Sequence, residues 1–116
     1  MKILCLGNEF VKEDSLAKEV AGELAEYNII MIKDSFQLIE YLNSQEKIVI
    51  LDVVENLKEV REISLNDLQE SKISTAHDLD ASFILQLIGL GVRIIGIPQY
   101  GDKEMIKKDI KEKLEL

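Results

Sequence analysis

Short apolar runs alternate along this chain with segments whose apolar residues recur every three or four positions. Ile3-Leu4-Cys5-Leu6 is continuously apolar and runs into Gly7-Asn8, the pattern of a strand buried on both faces. Asp14 and Ser15 then offer N-cap oxygens, and Leu16, Ala17, Val20, Ala21 and Leu24 follow at helical spacing. That pattern predicts a helix of about three turns, ending near Tyr27-Asn28. Ile29-Ile30-Met31-Ile32 reads as a second buried strand, and Ser35 caps a short helix through Phe36, Leu38, Ile39 and Leu42. Ile48-Val49-Ile50-Leu51-Asp52-Val53-Val54 is the strongest strand signal, because β-branched residues fill most of it.

The middle of the chain is less regular. Residues 58–63 read as a short edge strand and 65–69 as a turn of helix. Ser74-Thr75-Ala76-His77-Asp78 is polar and leads into an apolar-periodic helix over 79–90, bracketed by Gly89 and Gly91. Val92-Arg93-Ile94-Ile95-Gly96-Ile97-Pro98 is another strand, ending at the sole proline. Asp102 caps a last helix with Ile106, Ile110 and Leu114 on one face. On that helix Glu104→Lys108 and Asp109→Lys113 read as favourable pairs four residues apart.

Alternating strands and helices predict an α/β fold: a three-layer sandwich of the phosphorylase/hydrolase-like kind. It has a twisted, mostly parallel sheet of four to five strands and helices on both faces. With 116 residues, the chain reads as a single domain over 1–116. There is no repeat, linker or low-complexity tract.

Composition narrows the chemistry. One cysteine makes neither an internal disulfide nor a Cys-rich metal site. No apolar run approaches the ~20 residues of a membrane span, and residues 1–7 lack the form of a signal peptide. A soluble, cytoplasmic protein with no membrane partner is therefore expected. The 14 basic and 22 acidic side chains give a net charge of −8, which disfavours nucleic acid as a partner. Five lysines and five acidic groups in residues 101–116 cancel. The tail thus reads as a self-neutralising helix, and the whole acidic excess falls on residues 1–100.

Ligands of such folds bind outside the carboxyl ends of the strands. Three polar stations fall there. The first runs from Gly7 to Asp14, the second is Asp52 with Glu55, and the third is His77 with Asp78 and Asp80. Two carboxylates and an imidazole over one sheet edge would suit a borderline divalent ion such as zinc or nickel, and the lack of thiolates argues against a closed structural zinc site. Each residue also has a plainer role: Asp14 as an N-cap, Asp52 as a strand-end contact, His77 as a loop histidine. No Gly-x-Gly-x-x-Gly, P-loop or nucleophile elbow occurs, and Cys5 reads as a small core residue.

Gly7-Asn8-x-x-x-x-Glu13-Asp14-Ser15-x-Ala17 resembles the Gly-Asn-x-x-x-x-Asp-Asp/Glu-Gly-x-Gly opening of the hydrogenase maturation endopeptidases. The strand over 48–54 with Asp52 resembles their central strand. Ser74-Thr75-Ala76-His77 resembles their histidine station, and Val92 to Pro98 resembles their late strand near Gly-Ile-Gln-Pro. The likeness runs in order from Met1 to about Gln99. It implies a metal-dependent endopeptidase that removes a C-terminal peptide from the nickel-loaded large subunit of a [NiFe] hydrogenase, with that precursor as partner. By the same resemblance Asp14, Asp52 and His77 are the catalytic and metal-binding residues. The nickel is supplied by the substrate, with zinc or cadmium able to take its place in a crystal. A monomer or weak dimer is expected.

The chain departs from the family at named positions. Ser15 and Ala17 stand for the two glycines of the opening. Lys33-Asp34-Ser35-Phe36-Gln37 stands where the family has Asp-Gly-Gly-Thr, and Gly96-Ile97-Pro98-Gln99 stands for Gly-Ile-Gln-Pro. The other reading is a non-catalytic α/β binding or regulatory domain, either an inactive paralogue or a receiver-like module. In the receiver-like scheme Glu13 and Asp14 sit beside Asp52, and a late lysine meets them.

Overall fold

The computed structural model describes residues 1–6, 15–32, 35–43, 46–54, 57–64, 86 and 89–115. Five strands form one sheet: β1 Lys2–Leu6, β2 Ile30–Ile32, β3 Ile48–Val54, β4 Arg61–Glu62 and β5 Arg93–Pro98. Their order across the sheet is β2-β1-β3-β5-β4. The pairs β1/β2, β1/β3 and β3/β5 are parallel, and β4 runs antiparallel to β5 at the edge. The expected α/β architecture with a mostly parallel sheet is therefore present.

The described helices are α1 Ser15–Glu23, α2 Ser35–Leu42 and α3 Lys103–Leu114. The three-turn helix expected to reach Tyr27 stops sooner. After α1 comes Leu24 and then a single 3-10 turn, Ala25–Tyr27, closed by Asn28 in the left-handed conformation (φ 53°, ψ 54°). Asparagine tolerates that region better than most residues, so it ends the helical path without a glycine. The edge strand expected over 58–63 is reduced to Arg61–Glu62. The helix turn expected over 65–69 lies outside the described residues, as does most of the helix expected over 79–90. At the end of the latter, the Leu90 amide donates to the Gln86 carbonyl at 3.0 Å.

Strand alternation divides the core into two layers. Ile3, Cys5, Val49, Leu51, Val53, Ile95 and Ile97 face α1 and α3, meeting Val20, Leu24, Ile106, Ile110 and Leu114. Leu4, Leu6, Ile48, Ile50, Val54 and Ile94 face the other way, toward Leu38 of α2. With both faces covered, all seven residues of β3 are buried, which explains its nearly unbroken apolar sequence.

Helix α3 starts as its sequence requires: the Asp102 carboxylate accepts from the Glu104 amide at 2.9 Å and from the Met105 amide at 3.4 Å. Its lysines are not neutralised only within the tail, as the charge count implies. Lys103 and Lys107 reach Glu23 of α1 at 2.8 and 3.2 Å, and Lys111 reaches Glu26 at 3.0 Å. Within α3, Glu104 pairs with Lys107 three residues on, at 2.9 Å, not with Lys108. The lysines spaced by four share the side of the helix that borders α1. At the other end of α3, the Arg93 guanidinium bonds Glu62 of β4 and donates to the Lys113 carbonyl at 2.9 Å. That donation satisfies a last-turn carbonyl and puts a cation at the helix C-terminus.

Candidate functional site

The strand order reverses direction between β1 and β3: from β1 the chain goes outward to β2 on one side and then to β3 on the other. Ligands of open α/β sheets bind at such switch points, outside the carboxyl ends of the strands. Asp52 stands there. It is the register partner of Leu6, the last residue of β1, and of Gly96 on β5. It is also the one buried polar or charged residue among those described, at 1% exposure.

Alternation along β3 turns Asp52 to the α2 face, together with Ile50 and Val54. Leu6 flanks it on the β1 side at 5% exposure. On the β5 side there is no side chain, because Gly96 stands there. A Cβ built on Gly96 would come within 2.8 Å of the Leu57 Cδ1 methyl and 3.1 Å of methyls of Ile63 and Val54. Among the described residues, the apolar groups beside Asp52 are thus Leu6 on β1, Ile50 and Val54 on its own strand, and Leu57 and Ile63 above Gly96. Oδ1 of Asp52 meets no donor among the described residues, although the residue does have a partner in the structure. Burying a carboxylate costs several kcal/mol unless partners compensate it.

Of the three residues expected to form the site, Asp52 alone is described. Asp14 and His77 lie outside the described residues, as do Glu13, Glu55, Asp78 and Asp80. The chain leaves the sheet at Leu6, beside Asp52, and re-enters the described structure at Ser15, directly after Asp14. His77 falls between β4 and β5 in the chain. Among the described residues no three His, Cys, Asp or Glu side chains are grouped closely enough to hold a metal. Cys5 is buried in β1 on the face opposite Asp52, in keeping with a core role.

Other features of the surface do not compete for the same chemistry. A cavity of about 300 Å³ opens between Leu42, Ile48, Leu90 and Val92, with Glu46 and Lys47 at its side. Ile48 begins β3 and Val92 precedes β5, so this cavity lies at the amino edge of the sheet, away from Asp52. The charged row between α1 and α3 lies on the opposite face. There the hydrogen bonds from Lys103 and Lys107 hold the Glu23 carboxyl below its ordinary range, and Lys111 does the same for Glu26. The glutamates in turn raise the three lysines, Lys107 mainly through Glu104. Tyr27 is raised by its burial and then by its 3.1 Å hydrogen bond to Glu115.

Sequence reasoning did not find Leu57 or the part played by Gly96 beside Asp52. The available signal was a glycine in the interior of an otherwise β-branched strand, which often marks a close approach. Among the described residues no helix is long and apolar enough to cross a membrane. Compared with known proteins, the chain matches no protein-family model, no curated protein and no solved structure.

Proposed function

We propose that this chain is a metal-dependent endopeptidase of the hydrogenase maturation type, acting in the cytoplasm on the nickel-loaded large subunit of a [NiFe] hydrogenase. The observation that carries this reading is Asp52, a carboxylate at 1% exposure on the central strand, at the carboxyl side of the sheet and at its switch point. Ligands of open α/β sheets bind outside the carboxyl ends of the strands at such a switch point. The order of motifs from Gly7-Asn8 to Pro98 supplies the rest.

In this reading Asp52, Asp14 and His77 hold the substrate's nickel. A donor set of two oxygens and one nitrogen fits a borderline divalent ion, and Asp52 meets that requirement as an oxygen donor held by β3. The metal supplies Lewis acidity toward the scissile carbonyl or an attacking water. Asp52 brings negative charge on a rigid strand, so little reorganisation accompanies binding. At 1% exposure, its carboxylate is kept from bulk water. An incomplete protein ligand set makes recognition and activation depend on the same ion, so a large apolar cleft is not required.

The test combines the purified chain with its host's hydrogenase precursor, with and without nickel, and follows the mass of the large subunit. Loss of a C-terminal peptide only from the nickel-loaded form is expected. An unchanged mass for every confirmed nickel-loaded precursor of the host favours the second reading, a non-catalytic binding or regulatory domain.

One observation favours that second reading. α2 begins at Ser35, so helical backbone takes up Ser35 to Gln37, where the family carries its glycine-rich stretch. The receiver-like version of it has less support. Lys103, the first lysine after β5, is held by Glu23 on the face away from Asp52.

A further inference from the structure

We infer that Gly96 is a positioning residue for Asp52: its missing side chain admits the Leu57 methyl, which closes the carboxylate off from water on the β5 side. The inference deepens the reading of Asp52 as the site carboxylate and rests on it.

Three observations carry it. Asp52 and Gly96 are register partners on adjacent parallel strands, so side chains at the two positions point to the same face, about 5 Å apart. The space above Gly96 is therefore the space beside Asp52. That space is taken by Leu57, whose Cδ1 lies 2.8 Å from where a Cβ on residue 96 would stand. Leu57 belongs to the segment just after β3 and folds back over the sheet to pack with the α2-side core. On the remaining sides Leu6, Ile50 and Val54 are each at most 5% exposed. Gly96 has no left-handed backbone conformation to explain it, since among the described residues the positive-φ glycines are Gly91 and Gly101. Its role lies in the room it leaves.

The atoms that would meet a new Cβ are ends of the Leu57, Ile63 and Val54 side chains, not backbone. Alanine at 96 is therefore accommodated by rotating Leu57 outward. The fold survives and the wall beside Asp52 opens. Removing the Leu57 side chain opens the same wall without touching the sheet. Combining the two changes places the alanine methyl in part of the space that Leu57 vacates, so their effects compensate.

The experiment measures carbodiimide-driven amine labelling of each carboxyl in the native protein by peptide mass spectrometry, with exposed Glu62 as internal reference. Thermal unfolding of each variant is followed in parallel. Asp52 is expected to stay nearly unlabelled in the wild type and to label several-fold faster in Gly96→Ala and in Leu57→Ala. The double variant is expected to return toward wild type, a non-additivity that marks direct coupling. A loss of stability alone would raise Asp52 labelling in step with the fall in Tm and would not be reversed by a second truncation. If Gly96→Ala fails to fold, Leu57→Ala still decides. Labelling of Asp52 unchanged by Leu57→Ala, or a double variant equal to the sum of the singles, overturns the inference. A Ni²⁺ thermal-shift series on wild type and Asp52→Asn separates this from the functional reading. An identical shift in both removes Asp52 from metal binding and leaves the labelling result standing.

Discussion

Asp52 on β3 and Gly96 on β5 are register partners, one bearing a buried carboxylate and the other no side chain. The pairing makes the carboxylate's surroundings depend on a segment outside both strands, because Leu57 takes the room that Gly96 leaves. Asp52 also borders the switch point between β1 and β3, the kind of place at which an open α/β sheet takes its ligand, while Gly96 flanks it on the far side.

Asp52→Asn nearly preserves volume and removes the charge. The variant is expected to fold with the wild-type circular dichroism spectrum. Ni²⁺ is expected to raise the Tm of the wild type but not that of the variant, since a ligand that binds only the native state stabilises it. Equal metal-induced stabilisation of both proteins counts against the role given to Asp52.

The charged row between α1 and α3 predicts a pH dependence with two limbs. Glu23 and Glu26 are held below the ordinary value of 4.5, so their contribution is present above that value and is lost as pH falls through their folded values. Lys103, Lys107 and Lys111 are held above 10.5, so theirs is present below that value and is lost as pH rises through their folded values. All five groups are solvent-accessible, so the effect is modest and screened by salt. Urea midpoints of wild type and Glu23→Gln should differ at pH 7 and converge at pH 3 or in 1 M NaCl. A difference that survives both conditions would assign Glu23 a packing role.

Ile110 is fully buried between α3 and the sheet. Ile110→Ala is expected to lower the unfolding free energy by about 2–5 kcal/mol, the usual cost of truncating a core aliphatic residue. Met105, 65% exposed on the same helix, should tolerate alanine with a change within about 0.5 kcal/mol. Chemical denaturation of the two variants side by side checks the orientation of α3.

Asp102 caps α3 through the amides of Glu104 and Met105. Asp102→Ala should cost about 0.5–2 kcal/mol, and Asp102→Asn much less, because the amide oxygen still accepts. Hydrogen exchange at the first turn of α3 should speed up in the alanine variant alone. Equal exchange in both variants would mean that packing, not the cap, holds that turn.

The sequence by itself determined the kind of each described strand and of the three α-helices, though not the 3-10 turn at Ala25–Tyr27. β-Branched apolar runs encode strands buried on both faces, and four-residue apolar spacing with Asp102 ahead of it encodes α3, because these patterns act through nearest neighbours along the chain. Asp52 was legible for the same reason: a carboxylate interrupting Ile48 to Val54 stands out without knowledge of what surrounds it. Tertiary structure alone decided the rest. That β5 inserts between β3 and β4, and that β4 runs antiparallel, depends on packing between segments far apart in sequence. A count of charges made the tail neutral in itself, whereas helix packing turned Lys103, Lys107 and Lys111 onto Glu23 and Glu26. Gly96 likewise had no visible partner in the sequence. Only the parallel register brings it beside Asp52, and only the return of the chain after β3 brings Leu57 over Gly96.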